Sequence, residues 1–308
     1  MIAASREVGY IWEPFNPQHS RGIFNAPVDR YYTWVSDHNS FLYESALRDT
    51  LSFKFDTLAE AKSITSAREL AKMPLGYSRS LLYKREGRRP LLKDPLALFA
   101  AEWIVSTFDA QPVVLVRHPA AFVNSLLKAG WRHPFADFLE QPKLMEEHLE
   151  PFRSEIECLA RTRVDLLDEA TLLWRVIHHM IRKYRDAHPN WLFVRHEELS
   201  LEPIRQFGRL FEYLGLDYAP NVKGTIKNYT REGNPIERPG EPWPMAARLN
   251  SRRNAYRWAE RLSEGQIDRI RERSQDVWPA FYSDADWNAG RAPEMAPASG
   301  AQLQADAR

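Results

Sequence analysis

Four short apolar runs, each followed by a charged residue, constrain the fold of this chain more than any other feature. The runs and the residues that follow them are 8–12 with Glu13, 90–92 with Lys93, 112–116 with Arg117, and 190–194 with Arg195. Longer segments with helical periodicity separate them. This alternation predicts an α/β fold with a central parallel sheet and helices on both faces.

The segments between and after the runs repeat apolar residues every three or four positions, which is the pattern of amphipathic helices. It is clearest over residues 96–107, 166–184, 204–214 and 267–278. Gly215 is a typical helix stop after the third of these. Run 112–116 is continuously apolar, which predicts a strand buried on both faces. Together these elements indicate one domain over residues 1–288.

From about Ala289 onward the chain is rich in Ala, Pro, Gly and Gln and almost lacks large apolar residues. Such a composition cannot bury enough apolar surface to order a chain, so residues 289–308 are predicted to be a disordered tail.

The charge balance and the cysteine content narrow the functional class. The 42 Lys and Arg residues nearly balance the 41 Asp and Glu residues, leaving a net charge of +1, which gives no support to nucleic-acid binding. Cys158 is the single cysteine, so no internal disulfide forms. No apolar run approaches the roughly 18–20 residues that span a bilayer. We therefore expect a cytoplasmic protein without a transmembrane segment, and its oligomeric state stays open.

The charged residues at the ends of the runs predict a ligand site. Ligands of open parallel sheets bind beyond the carboxyl ends of the strands. Glu13, Lys93, Arg117 and Arg195 are therefore expected to converge on one crevice, with three positive charges and one carboxylate. Such a crevice suits an anionic substrate and acid–base chemistry.

Residues 113–128, VVLVRHPAAFVNSLLK, form the most specific segment. A strand ends at Arg117, Pro119 suits the first turn of a helix, and Ser125 lies further along that helix. A forked guanidinium beside a helix start binds phosphate well.

This segment resembles the part of the sulfotransferase superfamily that holds the 3′-phosphate of the donor 3′-phosphoadenosine 5′-phosphosulfate. LLKDPLALFAAEWI over 91–104 resembles the Lys-x-Pro strand end of that family, and WLFVRHEELSLEP over 191–203 resembles its later strand and helix. NSRR over 250–253, with the helical stretch 256–262, resembles the segment that closes over the nucleotide. The ordered set spans most of residues 8–278 and is closest in pattern to the carbohydrate and tyrosylprotein branch.

The resemblance implies an activity and its residues. The activity is transfer of a sulfonate from the donor to a hydroxyl of a small-molecule, carbohydrate or lipid acceptor, with no metal. Segments 16–55, 130–150 and 232–244 are expected to bind the acceptor. The implied site consists of Glu13 and Lys93 in catalysis and of Arg117, Ser125, Ser251, Arg252 and Arg253 in donor binding.

Two alternatives stay open for the general base. A glutamate after the first of these strands is the base in the carbohydrate branch, so Glu13 either takes the acceptor proton or is a structural carboxylate paired with Lys93 or Arg117. Cytosolic members of the family use a histidine, for which His118 and His133 are the nearest candidates.

The family pattern also includes a first strand and a loop of the Pro-Arg-Ser-Gly-Thr type around the 5′-phosphosulfate, and nothing of that kind precedes Val8 here. The expected fold is thus a P-loop-kinase-like sulfotransferase fold without its first strand and donor loop. Two other functions stay open: a non-catalytic binding protein of the same fold, and a kinase-like transferase for small molecules.

Overall fold

The structure is a computed structural model that describes residues 1–18, 22–64, 67–236 and 248–290; side chains of residues 67–72 are outside this description. Most of the predicted tail, residues 291–308, also lies outside the described residues. The first residue assigned to that tail, Ala289, ends a helix instead.

The four apolar runs form four strands. Their bounds are β1 Val8–Trp12, β2 Arg89–Lys93, β3 Val113–Val116 and β4 Leu192–Arg195. β1 pairs with β2 and β3 pairs with β4, and both pairs are parallel. The predicted α/β class with parallel strands is confirmed.

The strands form two separate pairs rather than one continuous sheet. In the described part of the chain, β2 and β3 exchange no backbone hydrogen bonds. Their beginnings are connected through the side chain of Arg89, which contacts the Gln111 amide oxygen and donates to the backbone oxygen of Leu214 at 2.6 Å. A connection through long side chains keeps two strands near each other without pairing them. The P-loop-kinase-like details of the fold stay a prediction.

Helices make up most of the remaining described chain. The α-helices are α1 Glu44–Leu51, α2 Thr57–Ser63, α3 Ala67–Arg85, α4 Ala101–Phe108, α5 Pro119–Ala129, α6 Ala136–Leu139, α7 Pro142–Leu144, α8 Arg153–Arg161, α9 Leu166–Ala187, α10 His196–Leu201, α11 Pro203–Tyr213, α12 Pro220–Thr230, α13 Ser251–Ala255, α14 Arg257–Arg261, α15 Glu264–Arg273 and α16 Asp284–Ala289. Shorter 3-10 turns cover Ile2–Ala4, Ser40–Leu42, Leu96–Ala100, Glu150–Phe152 and Trp278–Ala280, and Met145–Leu149 is a π-helical turn.

The predicted helix boundaries follow from local signals. Asp165 caps α9 by accepting from the backbone N–H of Leu167, and His188 and Pro189 follow its end. Gly215 comes after α11 with a left-handed φ of 62°, which a glycine adopts without a steric penalty. These helices could be located from sequence because caps and stops are local features.

Two apolar clusters cover the two faces of the β3–β4 pair. Val114 and Val116 belong to the larger cluster, which contains the inner face of α9, whereas Val194 belongs to a smaller cluster with α11 and α12. Helices therefore lie on both faces of this pair, as predicted.

The expectation that β3 is fully buried is wrong at Leu115, which is 53% exposed. Successive side chains of a strand point to opposite faces. Leu115 lies on the face of the smaller cluster, and that cluster is too small to cover it.

Candidate functional site

The carboxyl ends of β1 and β2 bring Glu13 and Lys93 together. Parallel pairing places Trp12 opposite Lys93, and the backbone N–H of Glu13 donates to the backbone oxygen of Lys93 at 2.9 Å. The Lys93 ammonium forms an ion pair with Glu13 Oε1. The two catalytic residues implied by the resemblance are therefore neighbours, and the salt bridge that was the structural alternative for Glu13 is present.

Glu13 has an unusual backbone conformation. Its φ is +44°, a left-handed value that carries a steric cost for a residue with a Cβ. The conformation turns the chain immediately after the strand, and it is held by the Asn16 N–H, which donates to the Glu13 backbone oxygen at 3.1 Å. The Glu13 side chain is only 15% exposed, whereas that of Lys93 is 50% exposed. The turn thus fixes a sheltered carboxylate next to a more accessible ammonium.

Asp94 connects the two loops that carry this pair. Its carboxylate accepts from the backbone N–H of Phe15 at 2.6 Å, of Leu96 at 2.8 Å and of Ala97 at 3.3 Å. Burial raises the pKa of Asp94 to about 6, although these hydrogen bonds favour the charged form. The Phe15 bond spans the loop after β1 and the loop after β2, so Asp94 orients both Glu13 and Lys93.

We expect the substitution Asp94→Ala to lower the free energy of unfolding by about 2–3 kcal/mol, because it removes a cap and leaves three partly buried N–H groups without their acceptor. Urea denaturation measures the loss. Asp56→Ala is the matched control, since Asp56 caps α2 through Leu58 and Ala59 on the exposed surface. Equal losses in both variants would contradict a connecting role for Asp94.

A cavity of about 520 Å³ opens beside the Glu13–Lys93 pair. Its wall combines β1, the segment around α1 and one face of α3. The lining residues are Tyr10, Ile11, Trp12, Glu13, Ile23, Thr50, Phe53, Lys54, Gly76, Arg79, Ser80, Tyr83 and Lys93. Four of them come from segment 16–55, which was expected to bind the acceptor. The volume is within the usual range for small-molecule sites.

Gly9 lets two aromatic walls lie close to β1. The rings of Phe53 and Tyr83 meet edge to face with centroids 5.3 Å apart. A Cβ at position 9 would come within 2.4 Å of the Phe53 ring and 2.8 Å of the Tyr83 ring. A larger residue there would push both walls outward, so the absence of a side chain at Gly9 shapes the cavity.

Arg117 and Ser125 lie on the other strand pair and do not line this cavity. Arg117 directly follows β3, where its backbone oxygen accepts from Trp174 Nε1 at 2.8 Å, and its N–H donates to His178 Nε2 at 3.4 Å. Burial lowers the pKa of His196 to about 3, and the nearby Arg117 charge lowers it further. Ser125 is a half-buried residue of α5. The backbone of Arg117 is therefore held in place at the end of β3, directly before the start of α5.

The segment with Ser251, Arg252 and Arg253 packs on the same half of the molecule, since α13 contacts α10 and α14 contacts α5. The Ser251 hydroxyl lies 2.7 Å from the Ser200 backbone oxygen and 3.1 Å from that of Thr230. It donates to these carbonyls, so it holds the segment in place. The side chains of Arg252 and Arg253 are 62% and 45% exposed, and they lie 3.6 Å from a Glu232 oxygen and 4.0 Å from a Glu260 oxygen, respectively.

The predicted convergence of four charged strand ends holds for two of them. Arg195 forms an ion pair with Asp286 of α16 and lies over the Tyr282 ring at 4.4 Å. It therefore anchors the C-terminal helix. The sequence could not reveal this partner, because 91 residues separate Arg195 from Asp286.

His118 and His133, the alternative bases, are both buried in aromatic clusters. His118 stacks on Trp258 with centroids 4.7 Å apart, and His133 lies 4.5 Å from the Phe138 ring. Burial lowers the pKa of each to about 3. Neither ring lines the cavity, and with 2% and 6% exposure neither reaches an acceptor in this conformation.

Sequence reasoning missed Asp94, Arg79 and Tyr83, whereas Phe53 lies in segment 16–55, which was expected to bind the acceptor. Asp94 had a signal, since it follows Lys93 directly and precedes Pro95 at a helix start, which is a favoured place for a capping carboxylate. Arg79 and Tyr83 had none. They meet β1 only through tertiary packing.

Two general features complete the picture. In the described ranges, His, Cys, Asp and Glu side chains form no group of three or more that could hold a metal ion. None of the helices in the described part of the chain is both long and apolar enough to cross a membrane.

Similarity to known proteins indicates which family this chain resembles. No family model matches the chain. The chain is 24% identical over 149 residues to carbohydrate sulfotransferase 4 of Mus musculus, which covers 46% of this chain and 32% of that protein. The sequence match points to the sulfotransferase superfamily. The family resemblance stated from the motifs is thereby confirmed, while the chain spans about a third of the length of this relative.

The sulfotransferase-like chain is also similar to a solved structure, the sulfotransferase domain from the curacin biosynthetic pathway. The alignment has a TM-score of 0.38 and 13% sequence identity, and it covers 88% of this chain and 99% of that domain.

Proposed function

We propose that this protein transfers a sulfonate from 3′-phosphoadenosine 5′-phosphosulfate to a hydroxyl group of a small-molecule, carbohydrate or lipid acceptor. The observation that carries the proposal is the Glu13–Lys93 pair at the ends of two parallel strands, beside a cavity large enough for a small acceptor. This pair supports the proposal because a hydroxyl bound in the cavity could contact both a carboxylate and an ammonium group.

Transfer requires one bond to form and one to break. The acceptor oxygen attacks sulfur, Glu13 takes the hydroxyl proton, and the bond from sulfur to the bridging phosphate oxygen breaks to release adenosine 3′,5′-bisphosphate. Lys93 has three N–H donors, so it can hold Glu13 and still contact a sulfonate or bridging oxygen. Positioning and charge stabilisation are then the main contributions of the protein.

The residues on and around the β3–β4 pair are assigned to the sulfonate donor. Arg117 and Ser125 bind the 3′-phosphate, and the exposed Arg252 and Arg253 side chains close over the nucleotide. Ser251 acts through the position of its segment, because its hydroxyl proton is already given to a carbonyl. The proposal needs no metal.

Titration of adenosine 3′,5′-bisphosphate into the protein tests the donor site. We expect saturable binding, with a Kd at least about tenfold higher in Arg117→Ala because a charge-assisted hydrogen bond is lost. Calorimetry and thermal shift both report it. Arg205→Ala is the control, since the Arg205 side chain is 67% exposed and forms an ion pair with Glu202 at the start of its own helix.

The same titration separates the two alternatives. A folded protein that does not bind the bisphosphate would contradict the proposal and leave the kinase-like function, for which a nucleoside triphosphate is the matching probe. Binding of the bisphosphate without transfer from its sulfated form would favour a non-catalytic binding protein.

A further inference from the structure

The cavity beside Glu13 and Lys93 contains three cationic side chains, and their partners differ. Lys93 is paired with Glu13. Lys54 is paired with Asp49, with Nζ 2.7 Å from Oδ2. Arg79 makes no ion pair with any residue that the structure describes. Within the described ranges, one positive charge of the cavity therefore has no carboxylate partner.

Helix α3 directs Arg79 to the cavity together with three neighbours. Gly76, Ser80 and Tyr83 share its face, because residues three or four apart in a helix lie one above the other. The Tyr83 ring packs on Phe53, and the Arg88 guanidinium lies 5.0 Å from the Tyr83 ring centroid. These contacts hold the face of α3 that carries Arg79 against β1.

The rest of the wall is mainly aromatic. Phe53 and Tyr83 lie on the side of β1 to which Gly9 points, Tyr10 and Trp12 also contribute to the lining, and Glu13 and Lys93 lie at the strand-end side. Flat aromatic walls favour a ring, since ring faces and edges pack well against one another. The cavity can therefore hold a ring beside Phe53 and Tyr83, a hydroxyl beside Glu13 and an anionic group beside Arg79.

We infer that the acceptor is a ring compound that carries, besides its hydroxyl, one anionic group held by Arg79. The inference rests on the proposed function, because the hydroxyl is assigned to Glu13 on that basis. Carboxylate and sulfate share the oxygen pattern that a guanidinium fork binds in two parallel hydrogen bonds. The ring packs against the rings of Phe53 and Tyr83, and its anionic group points away from the Glu13–Lys93 pair towards α3.

Two phenols that differ in one group test the inference without any donor. 4-Hydroxyphenylacetate and 2-(4-hydroxyphenyl)ethanol have the same ring and phenol, and only the first is a carboxylate. We expect the carboxylate to bind about tenfold more tightly, and Arg79→Gln to remove this preference while leaving the affinity of the neutral phenol unchanged. Calorimetry with the full chain measures all four values. The sugar pair of methyl glucuronide and methyl glucoside repeats the comparison for a non-aromatic ring.

Arg85→Gln is the matched control, because Arg85 is an exposed residue of the same helix that does not line the cavity. It should retain the full preference. Equal affinities of the wild-type protein for charged and neutral partners in both pairs would overturn the inference, as would an equal loss of both affinities in Arg79→Gln.

The outcome is independent of the donor test. If Arg79→Gln weakens binding of adenosine 3′,5′-bisphosphate and leaves the phenols unaffected, Arg79 serves the donor and the inference is wrong. If the protein binds no bisphosphate but retains the carboxylate preference, the proposed function fails while the anion site stands.

Discussion

Lowering the pH from 7 to between about 5 and 4 is expected to unfold the protein, because three buried histidines cannot take up protons in the folded state. His118, His133 and His178 are between 2% and 6% exposed. Burial lowers the pKa of each to about 3, whereas an unfolded chain has a histidine pKa of about 6.5. Below pH 6.5 the unfolded state therefore binds protons that the folded state does not.

The sign and size of the change in the free energy of unfolding follow from the difference in bound protons between the unfolded and folded states. Each such histidine lowers the free energy of unfolding by about 1.4 kcal/mol per pH unit between pH 6.5 and 3. Asp94 acts in the opposite direction, because its raised pKa of about 6 makes the folded state take up a proton between pH 6 and 4. The net loss from these four groups is then about 6 kcal/mol at pH 4.5, a large part of the 5–15 kcal/mol of a typical domain.

Tryptophan fluorescence and circular dichroism against pH measure the transition. His133→Phe should move the midpoint to lower pH, since both ring nitrogens of His133 lack a partner among the described residues and an apolar ring suits its site beside Phe138. His38→Gln is the control, because His38 is exposed. An identical midpoint in both variants, or a wild-type protein that stays folded at pH 3.5, would refute this explanation.

The second large effect concerns transfer. Glu13→Gln is expected to lower kcat by about 10²- to 10⁴-fold, because the amide cannot take the acceptor proton. Lys93→Met is expected to lower kcat by about 10²- to 10³-fold through loss of a charge that faces the transferring group. The donor analogue should bind both variants as it binds the wild type, since Arg117 and Ser125 lie on the other strand pair.

A radiolabelled sulfonate assay with a panel of hydroxyl acceptors measures the rates, and thermal unfolding checks that each variant folds. Glu44→Gln and Lys84→Met are matched controls, because Lys84 is exposed, the Glu44 side chain is 44% exposed, and neither residue lines the cavity. Full activity in Glu13→Gln would assign the carboxylate a purely structural role in its pair with Lys93. The choice of base would then have to be reopened.

Much of this architecture could be predicted from sequence because the responsible signals are local. The runs that became β1 to β4 are short apolar stretches closed by charged or turn-forming residues. The long α9 helix follows from its periodic apolar face and its Asp165 cap. Even the meeting of Glu13 and Lys93 was accessible, since parallel strands end at a common edge and each residue directly follows a run.

Other features depended on partners far away in the chain. Arg195 looked equivalent to Lys93 in sequence, but Asp286 binds it. Ser251 matched a donor-binding position, yet its hydroxyl donates to backbone carbonyl oxygens of the protein itself. Leu115 belongs to a fully apolar run and is nevertheless exposed. A side chain chooses among several possible partners by small differences in free energy, and those differences depend on which elements pack beside it.

The sequence by itself determined the strand and helix order, the parallel pairing and the edge at which Glu13 and Lys93 lie. Only the tertiary structure decided that the strands form two pairs, that Asp94 connects the two loops, and that Arg79 faces an aromatic cavity. The physical reason is the sequence separation over which each kind of interaction acts. Hydrophobic periodicity and capping act over a few residues, whereas burial, cavities and ion pairs arise from contacts between residues tens of positions apart.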